Sequence, residues 1–378
     1  MPTAEPEPPP VPAETKATPE PASPYTVQAT GIPGLFELSV DAGMSEMPQV
    51  TYWVQVPPEY DPYRRYPCIV TLNSAATTPL QQIDWWAGSY NPAAQTRPKG
   101  QATRHGYIVI APRWTLEHQR QYEFSAREHA AVLFPLCDAC KRFSIDVDRV
   151  YLTGHSMGGT AAWDVGLAHP DLWAGVMPIV ATPSKYISQY WENAKYVPLY
   201  FVCGEKDSGK WASATDWDKY LTKIGYDAMV VEYLGRGHEF FFDEIHHLFD
   251  WMGLHKRDFF PKEFKVQSLR PWDKFFWWVE TKEPRPISVI LPAEWGDNPV
   301  PAKPPRPAET KTNMLAPNGV SVTSRSCGKV TVWLSPELVT FNDSLKVVIN
   351  DNRYLKIQPG KDVLLEDVRR RGDRQHPF

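Results

Sequence analysis

An α/β architecture, with a mainly parallel sheet covered by helices on both faces and a small C-terminal β module, is predicted by two observations. Over residues 35–256, short apolar runs alternate with segments of helical period, the order that builds a parallel sheet with crossover helices. Beyond His255 only short alternating runs remain, the signature of an added β unit. The chain has 378 residues, enough for one large domain and a smaller one, and its 42% hydrophobic content supports a real core.

Each element follows in turn. Met1 to Ser23 is rich in proline and glutamate and has no apolar h-region, so residues 1–25 are expected to be a disordered segment without a signal peptide. A cytoplasmic location is then the default, and a secreted one holds if the N-terminus is truncated. Residues 35–40 and 50–56 read as antiparallel opening strands, and 68–72 and 107–110 as strands of the parallel sheet. Helical periodicity runs from Phe124 to Phe143 and feeds a strand over 149–153. The apolar run 197–203 suits a buried strand, and 228–234 is the next. Ile245, Leu248, Phe249 and Met252 then share one face of a helix. The expected domains are 26–258, followed by a β-sandwich-like module over 259–378 with a Pro-rich loop at 292–307.

Gly154-His155-Ser156-Met157-Gly158 lies between the 149–153 strand and the helix start at 159–163. Strand, tight turn and helix are the context in which a G-x-S-x-G serine becomes a nucleophile. Asp207 and His238 sit just past the strands 197–203 and 228–234, in the order nucleophile, acid, base. A serine hydroxyl is a weak nucleophile, so an imidazole must take its proton during attack and return it to the leaving group. A carboxylate holds that imidazole in the right tautomer. Here the chain resembles the α/β-hydrolase superfamily, in the branch of esterases, polyester depolymerases and prolyl-oligopeptidase-like peptidases. The resemblance covers residues 35–256 and implies the α/β-hydrolase fold, with a catalytic triad of Ser156, Asp207 and His238.

The resemblance also implies an oxyanion hole built from two backbone N–H groups, one from Met157 and one from the loop after the 68–72 strand, at Ser74 or Ala75. Many relatives have a His-Gly pair where this chain has Asn73-Ser74-Ala75-Ala76. Bland readings stand beside these assignments. Ser156 can be a structural turn; Asp207 can be a solvated carboxylate, with Glu205, Asp216 and Asp218 as rivals; His246 and His247 compete with His238 but fall on a helix surface. His155 shapes the elbow without titrating in the reaction.

A net charge of −4 without a basic stripe argues against a nucleic-acid partner, and no transmembrane run is visible. Five cysteines cannot all pair; Cys68 and Cys203 read as small apolar strand residues, and Cys137-x-x-Cys140 lacks the second pair of a metal site. No cofactor or metal is expected, and the oligomeric state is open. The long connection 73–104 carries Trp85 and Trp86, which either bind substrate or pack the core. Residues 181–196 are too few for a large lid, so the site should be open. Trp277 and Trp278 mark a carbohydrate-binding face or pack inward. The leading function is a serine carboxylesterase acting on a small or polymeric ester, with a prolyl-oligopeptidase-like peptidase and an inactive binding protein on the same fold as rivals.

Overall fold

The computed structural model describes residues 27–88, 100–207, 223–296, 306–341, 344–354 and 357–378. The 1–25 segment, Asp216 and Asp218 lie outside the described residues. One nine-stranded sheet is built from Val27–Ala29 (β1), Leu35–Met44 (β2), Met47–Gln55 (β3), Tyr66–Leu72 (β4), Ile108–Pro112 (β5), Ile145–His155 (β6), Gly175–Ile179 (β7), Leu199–Gly204 (β8) and Ala228–Tyr233 (β9). Its order is β1-β2-β3-β5-β4-β6-β7-β8-β9. The β1–β2, β2–β3 and β3–β5 pairings are antiparallel, and every pairing from β5 to β9 is parallel. β4, β5, β7 and β8 are buried at every position, as expected of strands with helices on both faces, whereas β9 at the edge has no buried position.

Helices Pro79–Ala87 (α1), Gln101–His105 (α2), Ala126–Arg142 (α3), Met157–Ala168 (α4) and Ile245–Leu254 (α5) cover the sheet. α3 starts at a capping box in which Ser125 and Glu128 satisfy each other's backbone N–H. The 73–104 stretch, expected to be a long connection, instead holds α1 and α2. The overlooked signal is local: Thr78 and Gln81 form a second capping box around Pro79, a residue suited to the first helical turn. In α5, Ile245, Leu248, Phe249 and Met252 are buried and His246 and His247 are exposed, as the periodicity predicts.

The C-terminal part folds as two further sheets. Lys265–Ser268 (β10), Ala308–Met314 (β13), Gly319–Arg325 (β14), Lys346–Ile349 (β16) and Asn352–Tyr354 (β17) form the five-stranded one, and Phe275–Phe276 (β11), Val279–Pro284 (β12) and Cys327–Val332 (β15) the three-stranded one. Short Pro292–Trp295 (α6) and terminal Lys361–Arg371 (α7) accompany them. Residues 287–291 alternate in sequence as a short strand would, but they are not one: a 3-10 turn over Pro286–Ser288 opens the segment, since proline cannot donate to a ladder. β13 was not anticipated because its inward residues are Thr310 and Thr312, whose hydroxyls meet Ser324 Oγ and the Phe264 N–H at 3.0 Å each. Trp277 and Trp278 are 2% and 0% exposed, so they are core and not a carbohydrate-binding face. Trp277 also stacks edge-on to Tyr196, 5.2 Å between ring centroids.

Asp164, on α4, is fully buried and gathers four other segments. It accepts hydrogen bonds from Tyr122 at 2.7 Å, from Arg270 at 2.7 Å and from Tyr190, and lies 3.0 Å from His129 Nε2. Burial alone would raise its pKa, but the Arg270 guanidinium and His129 hold it well below the usual carboxylate range. Arg270 also binds Asp273 at 2.6 Å. Removing one partner of such a pair strands a charge in the interior. Arg270→Met should therefore cost about 3–5 kcal/mol of stability, read as a lower denaturant midpoint; an unchanged midpoint would show that the pair contributes nothing net.

Candidate active site

β6 ends at His155 and α4 begins at Met157, so Ser156 alone makes the turn between them. Its φ of 55° and ψ of −117° are rare for a residue with a Cβ and cost roughly 1–3 kcal/mol. The turn is held by Ser156 N–H donating to Ile179 O at 2.9 Å, and by Ser156 O accepting from Thr160 N–H at 2.9 Å. The flanking glycines are sterically required. A Cβ on Gly154 would come within 2.2 Å of Gly158 O, and one on Gly158 within 2.3 Å of Leu72 O.

The loops after β8 and β9 are laced together by main-chain bonds. Glu205 N–H donates to Tyr233 O at 3.0 Å and Lys206 N–H to Arg236 O at 2.8 Å. Gly204 permits this approach, since a Cβ there would meet Gly237 O at 2.3 Å. The result places His238 Nδ1 at 3.2 Å from both carboxylate oxygens of Asp207. Asp207 is buried and the His238 side chain is 52% exposed, so the carboxylate anchors an imidazole that faces solvent. Arg236 braces the turn from outside by pairing with Glu239 at 2.8 Å and with Asp243.

Ser156, Asp207 and His238 line one open cleft of about 640 Å³, together with Met157. Its other walls come from the loop after β5, through Arg120, Tyr122 and Phe124, and from the loop after β7, through Thr182 and Lys185. The sequence reading assigned none of these five to the site; the available signal was position, because both loops follow the carboxyl ends of parallel strands, where such sheets bind ligands. The 181–196 stretch forms only 3-10 turns, Lys185–Ser188 and Trp191–Tyr196.

Three sequence assignments need revision. Trp86 is fully buried and its indole donates to Thr71 Oγ1 at 3.2 Å, so it is core and touches no substrate. Trp85 packs edge-on to His155 at 5.0 Å and is not among the residues lining the cleft. Ser74 N–H already donates to Thr77 Oγ1 at 3.0 Å, which removes it as a free donor, whereas the Ala75 amide makes no protein hydrogen bond among the described residues. Neither Ser74 nor Ala75 lines the cleft in this state.

Residues 47–228 match the model of the Esterase family. The matched segment, just under half of the chain, is similar to that family. No curated protein sequence matches it. Among solved structures it is similar to a thermostable esterase at 24% identity, covering 60% of this chain and 64% of that one, just under two thirds of its length, with a TM-score of 0.48. An S-formylglutathione hydrolase from Staphylococcus aureus is 16% identical over 58% of this chain and 96% of that one, TM-score 0.44. A ferulic acid esterase is 13% identical over 58% and 96%, TM-score 0.46. No helix among the described residues is long and apolar enough to cross a membrane.

His155 sits directly behind the elbow, its ring nitrogens 3.2 Å from Gln82 Oε1 and 3.3 Å from Phe240 O. Burial pushes its pKa down to about 4. The unfolded chain would protonate this imidazole near 6.5 while the native one stays neutral, so its contribution is full above pH 6.5 and is lost as pH falls toward 4, a change on the order of a few kcal/mol. His155→Gln should flatten that part of the acid limb in thermal unfolding measured from pH 7 to 4. An unaltered limb would mean that His155 is protonated in the native protein.

Proposed function

We propose that the chain is a serine carboxylesterase in which Ser156 is the nucleophile, His238 the general base and Asp207 the acid that orients it. The observation that carries this reading is the strained turn at Ser156 opening into the same cleft as the Asp207–His238 pair. With Nδ1–H directed to Asp207, Nε2 of the neutral imidazole is left to take the Ser156 proton as Oγ attacks the ester carbonyl. The imidazolium then protonates the departing alcohol, and a water, activated by the same imidazole, hydrolyses the acyl-enzyme. Met157 N–H, at the N-terminus of α4, is one donor to the oxyanion, and Ala75 N–H is the second, brought in when substrate fills the cleft.

The open cleft and its aromatic wall at Tyr122 and Phe124 suit a bulky acyl group, such as an ester of a plant phenolic or a polyester chain. The same triad would cleave amides, so p-nitrophenyl esters and aminoacyl p-nitroanilides assayed side by side separate esterase from peptidase. Activity on neither would support a binding protein on this fold. Ser156→Ala should lower ester turnover by roughly 10⁴-fold or more in a folded protein and abolish labelling by a fluorophosphonate; equal labelling of both proteins would remove Ser156 from the mechanism.

The oxyanion assignment has its own test. Ala75→Pro deletes the proposed donor and should reduce kcat by about 10²–10³-fold, while Ser74→Ala, which leaves the amide in place, should keep most activity. Full activity in Ala75→Pro with unchanged circular dichroism would put the second donor elsewhere.

A further inference from the structure

At the opposite end of α4 from Ser156, three buried side chains converge that the esterase chemistry does not use. His129 comes from α3, His169 from the residue that ends α4, and Asp273 from the turn between β10 and β11. His129 Nδ1 lies 3.2 Å from His169 Nε2, and Asp273 Oδ1 lies 3.4 Å and 3.5 Å from those two nitrogens. All three residues are at most 5% exposed. We infer that His129, His169 and Asp273 form a binding site for a divalent transition-metal ion, with zinc the best fit, that staples the C-terminal sheets to the hydrolase core.

Four features carry the assignment. The first is spacing: a tetrahedral zinc with bonds of about 2.0–2.1 Å has ligand atoms about 3.3–3.4 Å apart along each edge, and the three observed separations fall around that figure. The second is an orphan. Asp273 Oδ1 is buried and accepts no hydrogen bond among the described residues, although it points into this cluster. A buried carboxylate oxygen without a donor is costly, and a cation on it removes the cost.

Charge is the third feature. Asp164 and Asp273 face a single guanidinium, Arg270, so one negative charge in the interior is uncompensated by that contact alone. The fourth is orientation. His129 turns Nε2 toward the Asp164 carboxylate at 3.0 Å, which fixes the ring with Nδ1 toward the cluster, the carboxylate–histidine arrangement that commonly backs a metal ligand. Two imidazoles and one carboxylate favour zinc over calcium or magnesium, which prefer all-oxygen sets. The fourth coordination position falls to water, since His129 and His169 also line a cavity of about 380 Å³.

The location assigns the role. α4 spans Met157–Ala168, so the site is about 18 Å from Ser156 at 1.5 Å per residue. An ion there cannot polarise the scissile carbonyl. It instead joins α3, the end of α4 and the approach to β11, which are elements of both parts of the chain.

The test uses the full chain without a polyhistidine tag, stripped with a chelator and titrated with zinc in competition with a chromophoric indicator. The expected result is one tight equivalent, a melting temperature several degrees higher with zinc, and ester turnover changed less than twofold. Asp273→Asn and His169→Gln should each weaken binding by at least 100-fold. The Cys137→Ser/Cys140→Ser double variant should bind as the parent does, and the cobalt-substituted protein should show visible d–d bands without thiolate charge transfer. Absence of a tight equivalent in the unaltered chain, which needs no variant to fold, overturns the proposal. So does retention of binding in Asp273→Asn, or its loss in the double cysteine variant, which would move the ion to the thiols.

Discussion

The Asp164 carboxylate is the contact on which the arrangement of this molecule turns. It sits on the helix that Ser156 starts, and it binds Tyr122 and Tyr190, which come from the segments after β5 and β7, as well as Arg270, just past β10. Four groups share two oxygens in a buried interior, where each charge-assisted bond is strong and each missing partner expensive. Tyr122 itself lines the cleft, so the geometry around Ser156 and the docking of the C-terminal sheets are set by one ionic cluster.

The C-terminal sheets are accordingly more than an appendage. Tyr196 packs against Trp277, Asn193 Nδ2 donates to Gln267 O at 2.9 Å, and Arg257 bridges Asp148 at 3.2 Å and Asp373 at 2.9 Å. The last segment returns to α3, where Arg374 donates to Cys140 O at 3.1 Å. Cys137 and Cys140, the only C-x-x-C spacing in the chain, lie under this return; Cys137 Sγ donates to Arg370 O at 3.3 Å, and burial raises both thiols above their ordinary pKa.

Local signals in the chain were legible wherever burial is symmetric or a turn has a steric requirement. β4, β5 and β8 read correctly because strands covered on both faces are continuous apolar runs. The Ser156 elbow read correctly because only glycine fits at 154 and 158 against their carbonyl neighbours. The failures were equally local in cause. α1 was hidden because it is short and its start is announced by caps and not by periodicity; β13 was hidden because threonine hydroxyls replace apolar side chains on its inner face.

By itself, then, the sequence determined the class of fold, the segments that become buried strands and the three loops that carry Ser156, Asp207 and His238, since each depends on a residue's own neighbours. Only the tertiary structure decided which residues meet across long separations. It set Asp207 3.2 Å from His238, committed the Ser74 amide to Thr77, sent Trp86, Trp277 and Trp278 into cores, and drew His129, His169 and Asp273 together. Those outcomes rest on packing and on the cost of an unsatisfied buried polar atom, and both are properties of the assembled interior that no window of sequence contains.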